Sequence, residues 1–160
     1  MRFRCLTYQE FEVLETDFSD FLYDHGFNHF EWNVLQDQNS REAQNLLKTY
    51  SDQTFEKVMK EIDFLQLRKP NLIRTIQFKA VEYVCIDVRQ TSELQFDFTK
   101  LENVHFIPNN FFTPIRIRKS THTYEKPREN EIFERIESGY YQVSSEAYFK
   151  MDQIRVKQEN

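Results

Sequence analysis

The chain has 160 residues, with 26 Asp and Glu against 21 Lys and Arg, a formal net charge of −5 and 39% hydrophobic residues. Both signs are interspersed and no stretch approaches the roughly 18 apolar residues of a membrane-crossing helix, which excludes a disordered chain and a helical membrane span. Sixteen phenylalanines against two glycines, Gly26 and Gly139, exclude the glycine-rich loops that bind dinucleotides or nucleoside triphosphates, because those loops need several close glycines with backbone N–H groups free to approach phosphate.

The phenylalanines supply a large apolar payload, each ring burying about 150–250 Å² when inside. No apolar core follows the basic residues of Met1-Arg2-Phe3-Arg4-Cys5-Leu6-Thr7, so a secretory signal is not expected and the cytoplasm is the default location. Two cysteines are too few for a disulfide scaffold. Cys85, inside Val84-Cys85-Ile86, reads as a buried, inert thiol.

In chain order, Thr7-x-x-Glu10 is a capping box with Leu6 and Phe11 at the staple positions, since the hydroxyl and the carboxylate each satisfy an orphan backbone N–H. Phe11, Leu14, Phe18, Phe21 and Leu22 continue at helical spacing, which predicts one helix from about Tyr8 to His25, ended by Gly26. Asn28-x-x-Glu31 caps a second helix, with Trp32 and Leu35 facing inward. Ala43, Leu46, Leu47 and Tyr50 mark a third, and after Ser51 the residues Phe55, Val58, Met59 and Ile62 mark a fourth.

The pattern changes near Asp63. Phe64–Arg68, Leu72–Lys79 and Val81–Arg89 read as strands, with Lys69-Pro70-Asn71 as the first turn. Connections this short impose an antiparallel meander. Arg74, Ile76 and Phe78 share one face of the second strand, and in the third Tyr83, Cys85 and Asp87 lie opposite Val84, Ile86 and Val88. The stretch from Gln90 to Asn110 is irregular: Phe96 and Phe98 alternate, Leu101, Val104 and Phe106 suggest a turn of helix, and Asn109, Asn110 and Pro114 frame a loop. Ile115 to Tyr124 alternates as a fourth strand. Pro127 opens a helix bearing Ile132, Phe133 and Ile136 and ended by Gly139. Ser144 or Ser145 caps a last helix with Tyr148, Phe149 and Ile154.

Three segments carry a resemblance: Phe3-Arg4-Cys5-Leu6-Thr7 with Phe11, Leu14 and Phe18; Phe55-Glu56-Lys57-Val58 through Phe64-Leu65 and Pro70-Asn71; and Ile136-Glu137-Ser138-Gly139 with Ser145-Glu146-Ala147-Tyr148. Together they resemble a small domain-of-unknown-function family of Bacteroidota over nearly the whole chain. The resemblance implies a cytoplasmic bacterial protein of one domain and brings no activity or catalytic residue with it.

Charge is uneven along the chain. Residues 1–40 carry eight acids against Arg2 and Arg4, whereas 112–128 carry Arg116, Arg118, Lys119, Lys126 and Arg128 against Glu125. In the fourth strand Ile115 and Ile117 point one way and Arg116, Arg118, His122 and Tyr124 the other. Such a face suits an acidic protein surface, phosphates with a stacked base, or the chain's own first helix. Other chemistry has weaker support. His25 and His29 have i, i+4 spacing, but Gly26 interrupts the helix between them, so no metal site is expected. Cys85 with His105 or His122 is a nucleophile–base combination that sequence distance does not forbid, but Cys85 reads as core and no Gly-x-Ser-x-Gly elbow exists. The C-terminal helix pair has the outline of a DNA-reading unit, but its second helix is too acidic for a major groove.

These readings combine into an expected α+β fold, with a helical N-terminal half packed on an antiparallel sheet of about four strands and closed by a C-terminal helix pair. One domain is expected over 1–160, with a helical part at about 7–62, a sheet part at about 63–124 and C-terminal helices at about 127–156. The expected function is a non-enzymatic accessory module that docks on a larger cytoplasmic assembly through charged patches. Its binding residues are Arg116, Arg118, Lys119, His122, Tyr124 and Arg128. The partner expected is a protein; an RNA-associated factor using the basic strand is the alternative, and an enzyme with a dispersed site the third reading. No cofactor, metal or membrane role is expected.

Overall fold

The computed structural model describes residues 2–38, 40–90, 97–100 and 115–159, the last six of these by backbone alone. Phe96, the turn of helix at Leu101, Val104 and Phe106, the loop of Asn109, Asn110 and Pro114, His105 and the Ile154 side chain lie outside the described residues.

The fold is α+β, with six helices and a five-stranded antiparallel sheet among the described residues. The chain gathers into two compact units, Met1–Met59 and Lys60–Asn160. The first holds α1 (Tyr8–Val13), α2 (Glu15–Asp24), α3 (His29–Asp37) and nearly all of α4 (Arg41–Lys60). Both expected capping boxes form: Thr7 and Asn28 accept from the backbone N–H three residues on, and Glu10 and Glu31 accept in return. Gly26, at φ 83°, ends α2 in a left-handed turn. There Phe27 N–H donates to the Leu22 carbonyl at 3.0 Å and Gly26 N–H to that of Tyr23 at 2.9 Å, which satisfies two of the last carbonyls of the helix.

Two boundaries differ from the periodic pattern. The first expected helix is broken at Leu14 (φ −103°, ψ 16°), which separates α1 from α2. Leu14 N–H is shared between the Glu10 and Phe11 carbonyls at 3.2 and 3.1 Å, while Phe18 N–H still reaches Leu14 at 2.9 Å. The apolar stripe therefore continues across the bend, and Phe11 and Phe18 meet edge to face at 5.4 Å. Conversely, Ser51 does not divide the third expected helix from the fourth, and α4 is continuous. The fully buried Ser51 hydroxyl donates to the Leu47 carbonyl at 2.7 Å and accepts from Leu6 N–H at 3.1 Å, so its polar group is satisfied inside the helix.

The core of this unit is aromatic: Phe21, Trp32 and Tyr50 are buried among Leu6, Leu22, Ala43 and Leu46, with Phe11 and Phe18 packed against them. The segment before α1 is tied to α4 by the Asp52 carboxylate, which accepts from Arg2 N–H at 2.9 Å and Phe3 N–H at 2.8 Å.

In the second unit β1 (Phe64–Lys69), β2 (Leu72–Phe78), β3 (Glu82–Gln90), β4 (Ile115–Thr123) and the short β5 (Tyr141–Gln142) form one sheet in the order β4-β3-β2-β1-β5. Two more helices, α5 (Arg128–Glu137) and α6 (Ser145–Glu159), flank β5. The fifth strand carries no pattern of its own. It is held by Leu65↔Gln142 and Gln66↔Tyr141 pairing and by the Tyr141 hydroxyl, which donates to the buried Gln66 side chain at 2.9 Å. Gly139, at φ 97°, ends α5 as Gly26 ends α2 and turns the chain back to the sheet.

One face of the sheet carries Ile73, Val84, Ile86 and Val88, buried with Phe98 and with Tyr148 and Met151 of α6. Each fully buried aliphatic side chain there contributes about 1.5–3 kcal/mol. On the other face Arg135 of α5 lies over the Tyr83 ring at 4.4 Å and the Phe78 ring at 5.7 Å.

The Arg4 guanidinium grips Glu10 through both oxygens at 2.7 and 2.8 Å, and with the Thr7 cap it lowers the Glu10 carboxyl from the usual 4.5 to about 2. A depressed folded-state value stabilises the fold above the unfolded value and loses that contribution as pH falls toward the folded one. Urea unfolding followed by Trp32, the chain's one tryptophan, should therefore show stability falling between pH 4.5 and 2. Arg4→Gln should flatten this dependence; a variant with the wild-type pH slope contradicts the assignment.

Candidate functional site

The second face of the sheet, beyond the rings covered by Arg135, is lined with charge. Alternation within β2, β3 and β4 sends Arg74, Asp87, Arg89, Arg116, Arg118, Ser120 and His122 to one side. They line a single groove of about 460 Å³. Register then sets the rows: Arg74 pairs across to Asp87 and Asp87 to Arg118, Arg89 faces Arg116, Cys85 faces Ser120 and Tyr83 faces His122.

Four guanidiniums share the groove with one carboxylate, and the carboxylate is already committed. Asp87 accepts from Arg74 through both oxygens at 2.6 Å, and reaches Arg89 only at 3.5 Å. Burial pushes the Asp87 carboxyl up, but Arg74 and then Arg89 outweigh it and hold it below the usual range. The same hydrogen bond holds Arg74 more firmly protonated. Arg116 and Arg118 are exposed and have no carboxylate within ion-pair distance among the described residues. Arg89 and Arg116 are a like-charge pair directly opposite on neighbouring strands, an arrangement that costs a few tenths to about 1 kcal/mol.

The other end of the groove is aromatic. His122 stacks on Tyr83 with ring centres 5.1 Å apart and an 18° interplanar angle, and its Nε2 lies 2.9 Å from the Ser120 hydroxyl. Tyr124 packs beside Tyr83 at 5.6 Å, and its hydroxyl donates to the Lys79 carbonyl at 2.8 Å.

Of the residues expected to bind, the structure brings Arg116, Arg118 and His122 together in the groove and sets Tyr124 beside its aromatic end. Lys119 points to the opposite face, where its ammonium meets Asp152 of α6 at 2.8 Å. Arg128 braces the start of α5, donating to the Ile62 carbonyl at 2.7 Å and Asp63 at 3.0 Å. Four groove residues, Arg74, Asp87, Arg89 and Ser120, went unselected in the sequence. The signal for the first three was their parity: Arg74 alternates with Ile73, and Asp87 and Arg89 with Val88, but their meeting with β4 depends on register across the long stretch after Gln90.

The remaining candidates are placed as follows. Cys85 is buried, and burial pushes its thiol up to about 11, far from a thiolate nucleophile. His25 caps the end of α2 with Nδ1 2.7 Å from the Phe21 carbonyl. Among the described residues no three His, Cys, Asp or Glu side chains are grouped to hold a metal ion. A groove of about 440 Å³ in the first unit, lined by His25, Arg41, Glu42, Asn45, Leu46 and Thr49, carries one acid and one arginine and so no concentration of either sign.

Fold and groove together define an α+β protein with a cationic concavity on an antiparallel sheet. The chain matches the family of unknown function DUF6495 over residues 1–156 and belongs to that family. No curated protein and no solved structure matches it.

The two thiols should differ sharply in reactivity, since Cys5 is exposed and Cys85 is not. With DTNB at pH 8, native protein should release one equivalent quickly and the second only after unfolding. A rapid second equivalent would show Cys85 to be an accessible thiolate.

Proposed function

We propose that this protein is a non-enzymatic docking module that receives an acidic segment of a protein partner in its arginine groove, in the cytoplasm of a bacterial cell. The observation that carries the reading is that Arg89, Arg116 and Arg118 line one groove whose lone carboxylate is already engaged by Arg74. Among the described residues Arg116 and Arg118 have no counter-charge and Arg89 has only Asp87 at 3.5 Å, so the guanidiniums on this packed sheet are preorganised for an anionic ligand. Two cysteines that form no disulfide suit a reducing compartment, and no helix among the described residues is long and apolar enough to cross a membrane.

The stacked rings at the end of the groove favour RNA as a second reading, since bases stack on such rings. Tyr83, however, is already engaged by His122 and Arg135, and the Tyr124 hydroxyl by a backbone carbonyl. The net charge of −5 also opposes nonspecific attraction to a polyanion.

Fluorescence anisotropy with a labelled Glu/Ser dodecapeptide and with a U12 oligonucleotide separates the two. The expected result is measurable binding of the peptide, weaker binding of the oligonucleotide, and at least a tenfold loss for both in Arg116→Ala/Arg118→Ala. Tighter binding of U12, with a steep salt dependence that the double variant flattens, replaces the protein reading by the RNA one. Peptide affinity indifferent to the double substitution removes the groove from the function.

A further inference from the structure

We propose that the groove is built for a phosphomonoester dianion, so that the docking segment is recognised through a phosphorylated serine or threonine. The inference rests on the docking reading above and specifies what that segment carries.

The groove shows what one carboxylate achieves among these arginines. Asp87 sets both oxygens on the Arg74 fork at 2.6 Å and meets Arg89 only at 3.5 Å. A carboxylate from a partner has the same two oxygens and would serve one guanidinium fully. Among the described residues Arg116 and Arg118 have no carboxylate and Arg89 has only the 3.5 Å contact, and Arg89 and Arg116 face each other directly across β3 and β4. A phosphomonoester presents three terminal oxygens and close to two negative charges on one centre, which suits several forks at once. The Ser120 hydroxyl, in the same groove, adds a neutral donor. Asp87 also orients Arg74 and holds Arg89 at 3.5 Å.

The size agrees. About 460 Å³ holds a phosphate group with the side chain that carries it, while the three strands form a floor that does not need to close. Lys119, Lys126 and Arg128, the other basic residues of this region, are engaged by Asp152, Glu134 and Asp63 and take no part.

The test uses the full chain and three versions of one labelled peptide, Gly-Ser-Glu-X-Glu-Ser-Gly, with X as phosphoserine, glutamate or serine. The phosphoserine peptide should bind at least tenfold more tightly than the glutamate peptide, and Arg116→Gln should remove most of that difference while leaving Tm unchanged or raised. Inorganic phosphate should compete more effectively than acetate at equal ionic strength, and should raise the Tm of wild type more than that of Arg116→Gln. Equal affinity for the phosphoserine and glutamate peptides overturns the phosphate assignment and leaves the docking reading standing. Failure of all three peptides to bind overturns both. Competition by phosphate that survives Arg116→Gln and Arg118→Gln unchanged places the anion elsewhere and also overturns the assignment.

Discussion

The register between β3 and β4 sets Arg89 opposite Arg116 and Arg118 opposite Asp87, and it does so because the other face of the same strands is held in the core. Ile86 and Val88 are fully buried, and Ile115 and Ile117 pack against them. A slip of one residue would send the isoleucines of β4 outward and its arginines into the apolar layer under α6. Losing even one buried aliphatic costs about 1.5–3 kcal/mol, more than the few tenths to about 1 kcal/mol of an exposed like-charge pair. The repulsion is therefore carried by the folded state, and the sheet has no cheap way to relieve it. An anion in the groove does have one.

Neighbouring charges sharpen this contrast. Where β4 places a cation against α6, the fold supplies Asp152; where Arg128 meets the start of β1, it supplies Asp63; where Arg135 lies half-buried, Glu131 one turn earlier answers it. Arg4 has Glu10 and Arg2 has Glu56. Among the described residues Arg116 and Arg118 stand apart from this habit of local pairing. Asp87 shows that the groove can hold a carboxylate, and its commitment to Arg74 shows why one is insufficient.

Much of the fold was legible where a local rule was sufficient. The Thr7 and Asn28 caps, both glycine stops and the Pro70-Asn71 turn act within four or five residues, and all formed at the expected positions. The errors arose where a tertiary partner decides. Ser51 resembles a break until Leu6 and Leu47 satisfy it, and Leu14 bends a helix with no glycine or proline to announce the bend. Two-residue β5 exists only because Gln66 and Leu65 accept it. In the site, parity within β4 correctly separated Arg116 and Arg118 from Ile115 and Ile117. Charge alone added Lys119, which parity puts on the side of Ile117, and Arg128, which lies beyond the strand, because nothing local reveals Asp152 or the Ile62 carbonyl.

A double-mutant cycle on stability between Arg89→Gln and Arg116→Gln, in a buffer free of phosphate and sulfate and low in salt, tests the repulsion itself. Each replacement alone should leave stability unchanged or raise it, and the pair together should fall short of the summed effects by a few tenths to about 1 kcal/mol. Additive effects, or a double variant more stable than the sum, would show that the two guanidiniums do not repel in the folded state and would contradict an anion site held open by the sheet.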